Sequence, residues 1–375
     1  MAIALSVLLL LQAAPATDRE PPTIVIQARR AEEDLAACLA RNCPPDEEIE
    51  AALDAAVQQF ADGRYVDAKR VLGRTVARHR GHATENPRLF ASLLATSATV
   101  AEHEGDDDLF RQRVYERTNL LRTELGPESL EAIMADLDTG NMLMKLGSPI
   151  TAEASYRRAE EAALAAGRPR LAAAAMFRQA WLELSRGRYN RAESLASRAG
   201  EVAGADNVLV AELGRILAVR IAYAKGDEAE SSRLLAALPG RTRPAPLLIT
   251  APPIPPLNSP SQWVRPAEGM NAFVDVGFWV RPDGRVEEVE VLRDNGRRAW
   301  FNPVVNRVAD RRYAPFPSGE GDPGIYQIER YTLRPSYEVP YFSRISRRIG
   351  SYHLKVASLT HMAEETGESV DSALQ

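Results

Sequence analysis

The chain has 375 residues, enough for two or three domains with separate buried cores. Hydrophobic residues make up 45% and charged residues 26%, which excludes wholesale disorder. Lys plus Arg number 46 against 51 Asp plus Glu, a net charge of −5 that argues against a nucleic-acid binder, and two cysteines with five histidines favour an interaction protein over a metalloenzyme.

The chain opens on an apolar stretch from Ile3 to Leu11 followed by Ala14-Pro15-Ala16, the core and small-residue cleavage site of a secretory signal. As a helix this stretch reaches about 15 Å, half the hydrocarbon thickness of a bilayer and too short to anchor a protein. Residues 1–16 are therefore expected to be a signal peptide cleaved after Ala16, delivering an exported protein whose membrane association is peripheral at most. A lead-in of residues 17–45 follows, in which the β-prone run Thr23-Ile24-Val25-Ile26 before Arg29-Arg30 reads as disordered. In an oxidising compartment Cys38 and Cys43 form a disulfide around Leu39–Asn42; a zinc site would need two further ligands, and in the cytosol both thiols would be inert.

From Asp46 to Leu238 the sequence repeats. Turn glycines fall at Gly63, Gly105, Gly147, Gly187 and Gly226. Seven residues before each stands Ala56, Ala98, Gly140, Ala180 or Val219; five residues after each comes Ala68, Phe110, Ala152, Ala192 or Ser231. Ile49, Leu53, Val57 and Phe60 keep the rhythm of one helix face. Asp46 is placed to cap the first helix, and Pro87, Pro127 and Pro169 to start later ones. A lone amphipathic hairpin cannot bury its face, so five helical hairpins over residues 46–238 are expected to stack.

The small residue, glycine, tyrosine and alanine positions of this block, as in Gly63-Arg64-Tyr65 and Gly187-Arg188-Tyr189, resemble the tetratricopeptide repeat family with its longer period. The resemblance implies a right-handed solenoid whose first helices line a groove for protein or peptide segments. The family's groove position falls on Val57, Thr99, Asn141, Trp181 and Arg220, with Asn141, Trp181 and Arg220 as the binding candidates. The alternative is that Trp181 packs between repeats and that Asn141 and Arg220 are solvated.

Nine of the 25 prolines lie between Pro239 and Pro266, so residues 239–262 read as a stiff linker, with Leu247-Leu248-Ile249 able to dock locally. Thereafter the period becomes alternating. Ala272 to Val280 is a strand, Pro282-Asp283-Gly284 a hairpin turn, Val286 to Leu292 its return, Phe301 to Arg311 a helix and Ile325 to Leu333 a third strand. The expected fold is mainly α: the solenoid followed by a small α+β domain, residues 263–339, with a three-stranded antiparallel sheet and one helix.

Phe278-Trp279-Val280-Arg281-Pro282-Asp283-Gly284-Arg285-Val286, Val289, Val291, Leu292 and Arg312-Tyr313-Ala314-Pro315 resemble the C-terminal domain of TonB, the energy-transducing protein of Gram-negative bacteria. The resemblance implies recognition by strand addition, with Ile325–Leu333 as the free edge and Tyr326, Ile328 and Arg330 as its contact residues. It also implies TonB-dependent outer-membrane receptors as partners. The family's Tyr-Pro is replaced by Arg265-Pro266-Ala267, and its N-terminal transmembrane helix by the signal, so energy transduction is not expected. The run at Thr23 looks like the box that such receptors offer.

No GxSxG, GxxxxGK, HExxH or GxGxxG occurs, so no enzyme activity and no cofactor is expected. Asp106-Asp107-Asp108 reads as a solvated helix start. Residues 340–375 read as a frayed tail, in which Ile345–Met362 could dock as a helix. Together these features indicate a periplasmic adaptor for protein or peptide segments, with a structural or dimerising module and a membrane-retained transducer as alternatives.

Overall fold

The structure, a computed structural model, describes residues 25–204, 207–238, 246–254, 272–295, 298–319, 321–338 and 347–360. Residues 1–16, expected to be a signal peptide, the first two residues of the Thr23 run, most of the linker and the acidic end of the chain lie outside these residues. No described helix is long and apolar enough to cross a membrane.

From Val25 the lead-in is helical, where the sequence reads as disordered. Alanine and arginine are the commonest residues of α1 (Val25–Arg41), and both favour helix. Leu35 is buried against Ala52 and Ala55 of the next helix, so α1 closes the N-terminal end of the stack. Cys38 and Cys43 are joined in a disulfide, with the Cys43 amide donating to the Cys38 carbonyl over 3.1 Å.

Five antiparallel hairpins follow: α2 (Pro45–Ala61) with α3 (Tyr65–His79), α4 (Pro87–Glu104) with α5 (Asp107–Glu124), α6 (Leu130–Lys145) with α7 (Pro149–Ala165), α8 (Pro169–Ser185) with α9 (Tyr189–Ala203), and α10 (Val208–Lys225) with α11 (Glu228–Ala236). The turn glycines take φ of 74°, 81°, 69°, 71° and 74°, the left-handed region that other residues enter only at a cost. The small residues before the turns and the packing residues after them are buried in every hairpin. Gly140 shows why size matters: a Cβ there would stand 2.3 Å from the Tyr156 ring.

Two helix starts differ from expectation. Pro44 precedes α2 with no side-chain cap, and Asp46 instead accepts from Asn86 Nδ2 at 3.1 Å and pairs with His82 at 2.7 Å, tying the first hairpin to the second. Pro127 lies ahead of α6, whose start is capped by Ser129. Asp106 does cap α5, accepting from the Leu109 amide at 3.1 Å.

The small domain begins within the linker. β1 (Leu248–Thr250) pairs antiparallel with β4 (Arg312–Tyr313). β2 (Ala272–Val280), β3 (Val286–Asp294), β5 (Ile325–Glu338) and β6 (Arg347–Ser358) form a four-stranded antiparallel sheet in the order β3-β2-β5-β6, with α12 (Arg298–Ala309) against one face. At the β2–β3 turn Gly284 has φ 80°, and a Cβ would meet the Tyr313 carbonyl at 2.1 Å. The expectation of three strands is therefore corrected: residues 347–358 of the supposed tail are neither frayed nor helical but form the fourth strand. Leu354 and Val356, alternating with Lys355 and Ala357, carry that signal in the sequence.

Both faces of β2 are buried, for different reasons. Val274, Val276, Phe278 and Val280 pack on Trp300, Phe301, Val304 and Val308 of α12. Phe273 and Asp275 point the other way, onto the helical stack.

Candidate binding groove and the docked sheet

The groove candidates lie on the first helices of their hairpins. Thr99 is exposed, while Val57, Asn141, Trp181 and Arg220 are half-buried. Asn141 Oδ1 accepts from the Tyr156 hydroxyl at 3.0 Å, a bond that ties α6 to α7 and orients the amide. The Arg220 guanidinium lies 4.6 Å over the Trp181 ring, a cation–π contact between neighbouring hairpins. Trp181 also packs against the buried clusters on both of its sides, so its indole serves inter-repeat packing as well as the groove surface.

Arg220 is not solvated. Its Nη2 donates to the Leu248 carbonyl of β1, and its buried Nε has no partner. Burial lowers its pKa from the usual arginine value. Beside it Ile249 is 3% exposed, packed among Ile216, Val219, Leu238 and Ala314. The Ala314 amide donates to the Leu247 carbonyl at 2.8 Å. The Arg220 end of the groove is thus occupied by an extended segment of the chain itself.

The expected sheet edge requires correction. Ile325–Leu333 pairs with β2 throughout, and β6 covers its other side from Glu329 onward, so Arg330 lies inside the sheet. Tyr326 donates from its hydroxyl to Glu290 at 2.7 Å across the sheet and stacks with Trp279 at 5.2 Å. Burial, and then this bond, raise the Tyr326 pKa. The Ile328 amide donates to Thr360 Oγ1 at 2.8 Å, and its carbonyl accepts from the Leu359 amide at 2.8 Å, so its backbone is satisfied within the chain.

Arg330 is fully buried and holds the two domains together. Its Nε and Nη2 form a bidentate pair with Asp275 at 2.6 and 2.8 Å. Its remaining donors reach the Phe60 and Ala61 carbonyls, the latter at 2.6 Å, where α2 leaves acceptors without intrahelical partners. Arg293 joins the same Asp275 carboxylate at 3.0 Å and the Ala61 carbonyl. Around this cluster Phe273 closes on Gly63 and Arg334 on Gly105, so two turn glycines are also docking points for the sheet. Tyr65 shares a buried hydrogen bond of 3.0 Å with Thr332. Ala357 and Leu359 complete the seam by packing on the core of the first two hairpins.

The seam is cationic around a neutral histidine. His103 stacks edge-on against Phe60 at 5.0 Å. Burial, then the charges of Arg334, Lys145, Lys355 and Arg330, hold its pKa down at about 3. Burial lowers Arg334 to about 9, and its Nε and Nη2 have no partner.

Among the described residues the one grouping with metal-ligand geometry is Cys38, Cys43 and Glu47, whose sulfurs are already joined to each other. His79 faces Glu48 at 3.0 Å, while His82 sits between Asp46 and Glu85.

No family model matches the chain, and none of the curated proteins does. Among solved structures it is similar to BtubC (BKLC) from P. vanneervenii, at 17% identity and TM-score 0.47 over 61% of this chain and 99% of that one. It is also similar to a putative kinesin light chain of Podosopora anserina with nearly identical TPR-like repeats, at 14% identity and TM-score 0.43 over 52% of this chain and 93% of that one. A Rap protein complexed with Competence and Sporulation Factor matches at 15% identity and TM-score 0.39 over 55% of this chain and 56% of that one. Identities are low and superpositions partial, so the tetratricopeptide-like fold rests on the helix and glycine register itself.

Proposed function

We propose that this chain is a non-enzymatic periplasmic adaptor whose helical stack binds extended segments of other proteins along its first helices. The observation that carries the reading is the contact at Arg220, where the row already holds an extended main chain by its carbonyl. Thr99 and Asn141 occupy the same position on α4 and α6. The apolar opening stretch supports export, which fractionation and N-terminal sequencing test through a mature start at Thr17.

Photo-crosslinking from positions 99 and 141 in envelope extracts tests the groove. Discrete adducts with other proteins are expected. Adducts solely within the chain or between its copies would favour the structural or dimerising role instead.

A second reading concerns the sheet. β6 is its terminal strand, and among the described residues no further strand pairs with its outer edge. The strand order and Pro-Asp-Gly turn resemble the TonB C-terminal family, so strand addition, with outer-membrane receptors as the partner class, belongs at β6 rather than at β5. Cross-linking from exposed Val356 tests it: receptor adducts support the reading, and their absence removes it.

A further inference from the structure

We infer that residues 247–250 are a tethered occupant of the Trp181–Arg220 end of the groove, displaceable by an extended aliphatic segment from another polypeptide. The inference rests on the adaptor reading and specifies how that groove is regulated. Three features of the contact are those of ligand recognition rather than of core packing.

First, Arg220 reads a main-chain carbonyl, that of Leu248, a group every peptide carries. Second, the side chains turned to the stack are aliphatic: Ile249 fills a niche bounded by Ile216 and Val219 of α10, Leu238 just after α11 and Ala314, with Leu247 packed beside it. An apolar pocket beside a carbonyl-reading cation recognises an extended backbone with an aliphatic residue just after the bound carbonyl. Third, the segment is lightly held. β1 has three residues, its partner β4 has two, and the register between them is irregular. The four-stranded sheet keeps its own pairings if β1 leaves. The buried Arg220 Nε meanwhile has no partner, so the self-contact does not exhaust what the site offers.

A tethered occupant acts as a competitor at high effective concentration. A free segment therefore binds with an apparent affinity reduced by the fraction of open groove, and weakening the tethered segment raises it. A partner that gains the groove also frees β4, which couples groove occupancy to the small domain.

The test is fluorescence anisotropy on the full chain with a labelled hexapeptide, Pro-Leu-Leu-Ile-Thr-Ala, the sequence of residues 246–251. The wild type is expected to bind weakly and Ile249→Asp about tenfold more tightly. Adding Arg220→Ala to Ile249→Asp should remove the gain. Ile249→Ala, expected to gain about threefold, serves if the aspartate variant does not fold, as judged by its helical circular dichroism. Equal affinity in wild type and both Ile249 variants, no binding to any of them, or a gain that survives Arg220→Ala would overturn the inference. Cross-links from positions 99 and 141 are read independently, so failure here is distinguishable from failure of the adaptor reading.

Discussion

The helical stack and the small domain differ in how their contacts are distributed along the chain. In the stack each helix packs chiefly on its sequence neighbours, so a buried small residue, a left-handed glycine and a packing alanine recur at fixed spacing. In the small domain the decisive partners are remote: Arg330 meets Ala61 across 269 residues, and Tyr65 meets Thr332 across 267. Local architecture follows from local spacing, whereas docking depends on single residues that no periodicity announces.

Breaking the longest-range contact should have the largest effect. Arg330→Ala takes the bidentate partner from buried Asp275, leaving it only half-exposed Arg293 at 3.0 Å, and should cost about 3–5 kcal/mol in denaturant unfolding. Replacing the pair together, Arg330→Met with Asp275→Leu, should cost less than Arg330→Ala alone, because the buried carboxylate leaves with its partner and Arg293, which also loses it, is half-exposed and still near Asp62.

Acid should act next, through His103. Its folded pKa is about 3, below the unfolded value, so both states are neutral above the unfolded pKa. As pH falls below about 6.5 the unfolded chain takes up a proton that the folded chain refuses, costing on the order of 2 kcal/mol by pH 5. Unfolding midpoints measured against pH should show this slope, and His103→Leu should flatten it between pH values of about 6.5 and 3.

Within the stack the effects are smaller and local. Gly140→Ala forces the Tyr156 ring aside and should cost about 1–3 kcal/mol by thermal unfolding. Asp227→Ala removes the side chain that caps α11 through the Glu230 amide at 2.9 Å and should cost about 1 kcal/mol. If Asp227→Ala matched Arg330→Ala, the contrast between local packing and remote docking would fail.

The same contrast explains what the sequence made legible. The five hairpins were readable because Gly63, Gly105, Gly147, Gly187 and Gly226 perform one task at one spacing. The sheet was readable as strands but not as neighbours: alternation at Ile325–Leu333 marks a strand without saying which of its edges is free. Arg330 stands on the expected strand but serves docking rather than an open edge, since a bare arginine in a strand does not disclose that a helix end awaits it. Arg220 was read as a groove residue and does hold an extended chain, although only the fold brings Leu248 to it.

The sheet lies docked on the first two hairpins, and Thr332 sits in the seam between them. It is fully buried, and its hydroxyl meets that of Tyr65 at 3.0 Å. The native cysteines are bonded to each other, so Thr332→Cys introduces the one free thiol. In the docked chain that thiol should react far more slowly with a charged thiol reagent than an exposed cysteine, and Arg330→Ala should accelerate it while helical circular dichroism persists. Reaction at the rate of an exposed cysteine in the otherwise unaltered chain would contradict the docking.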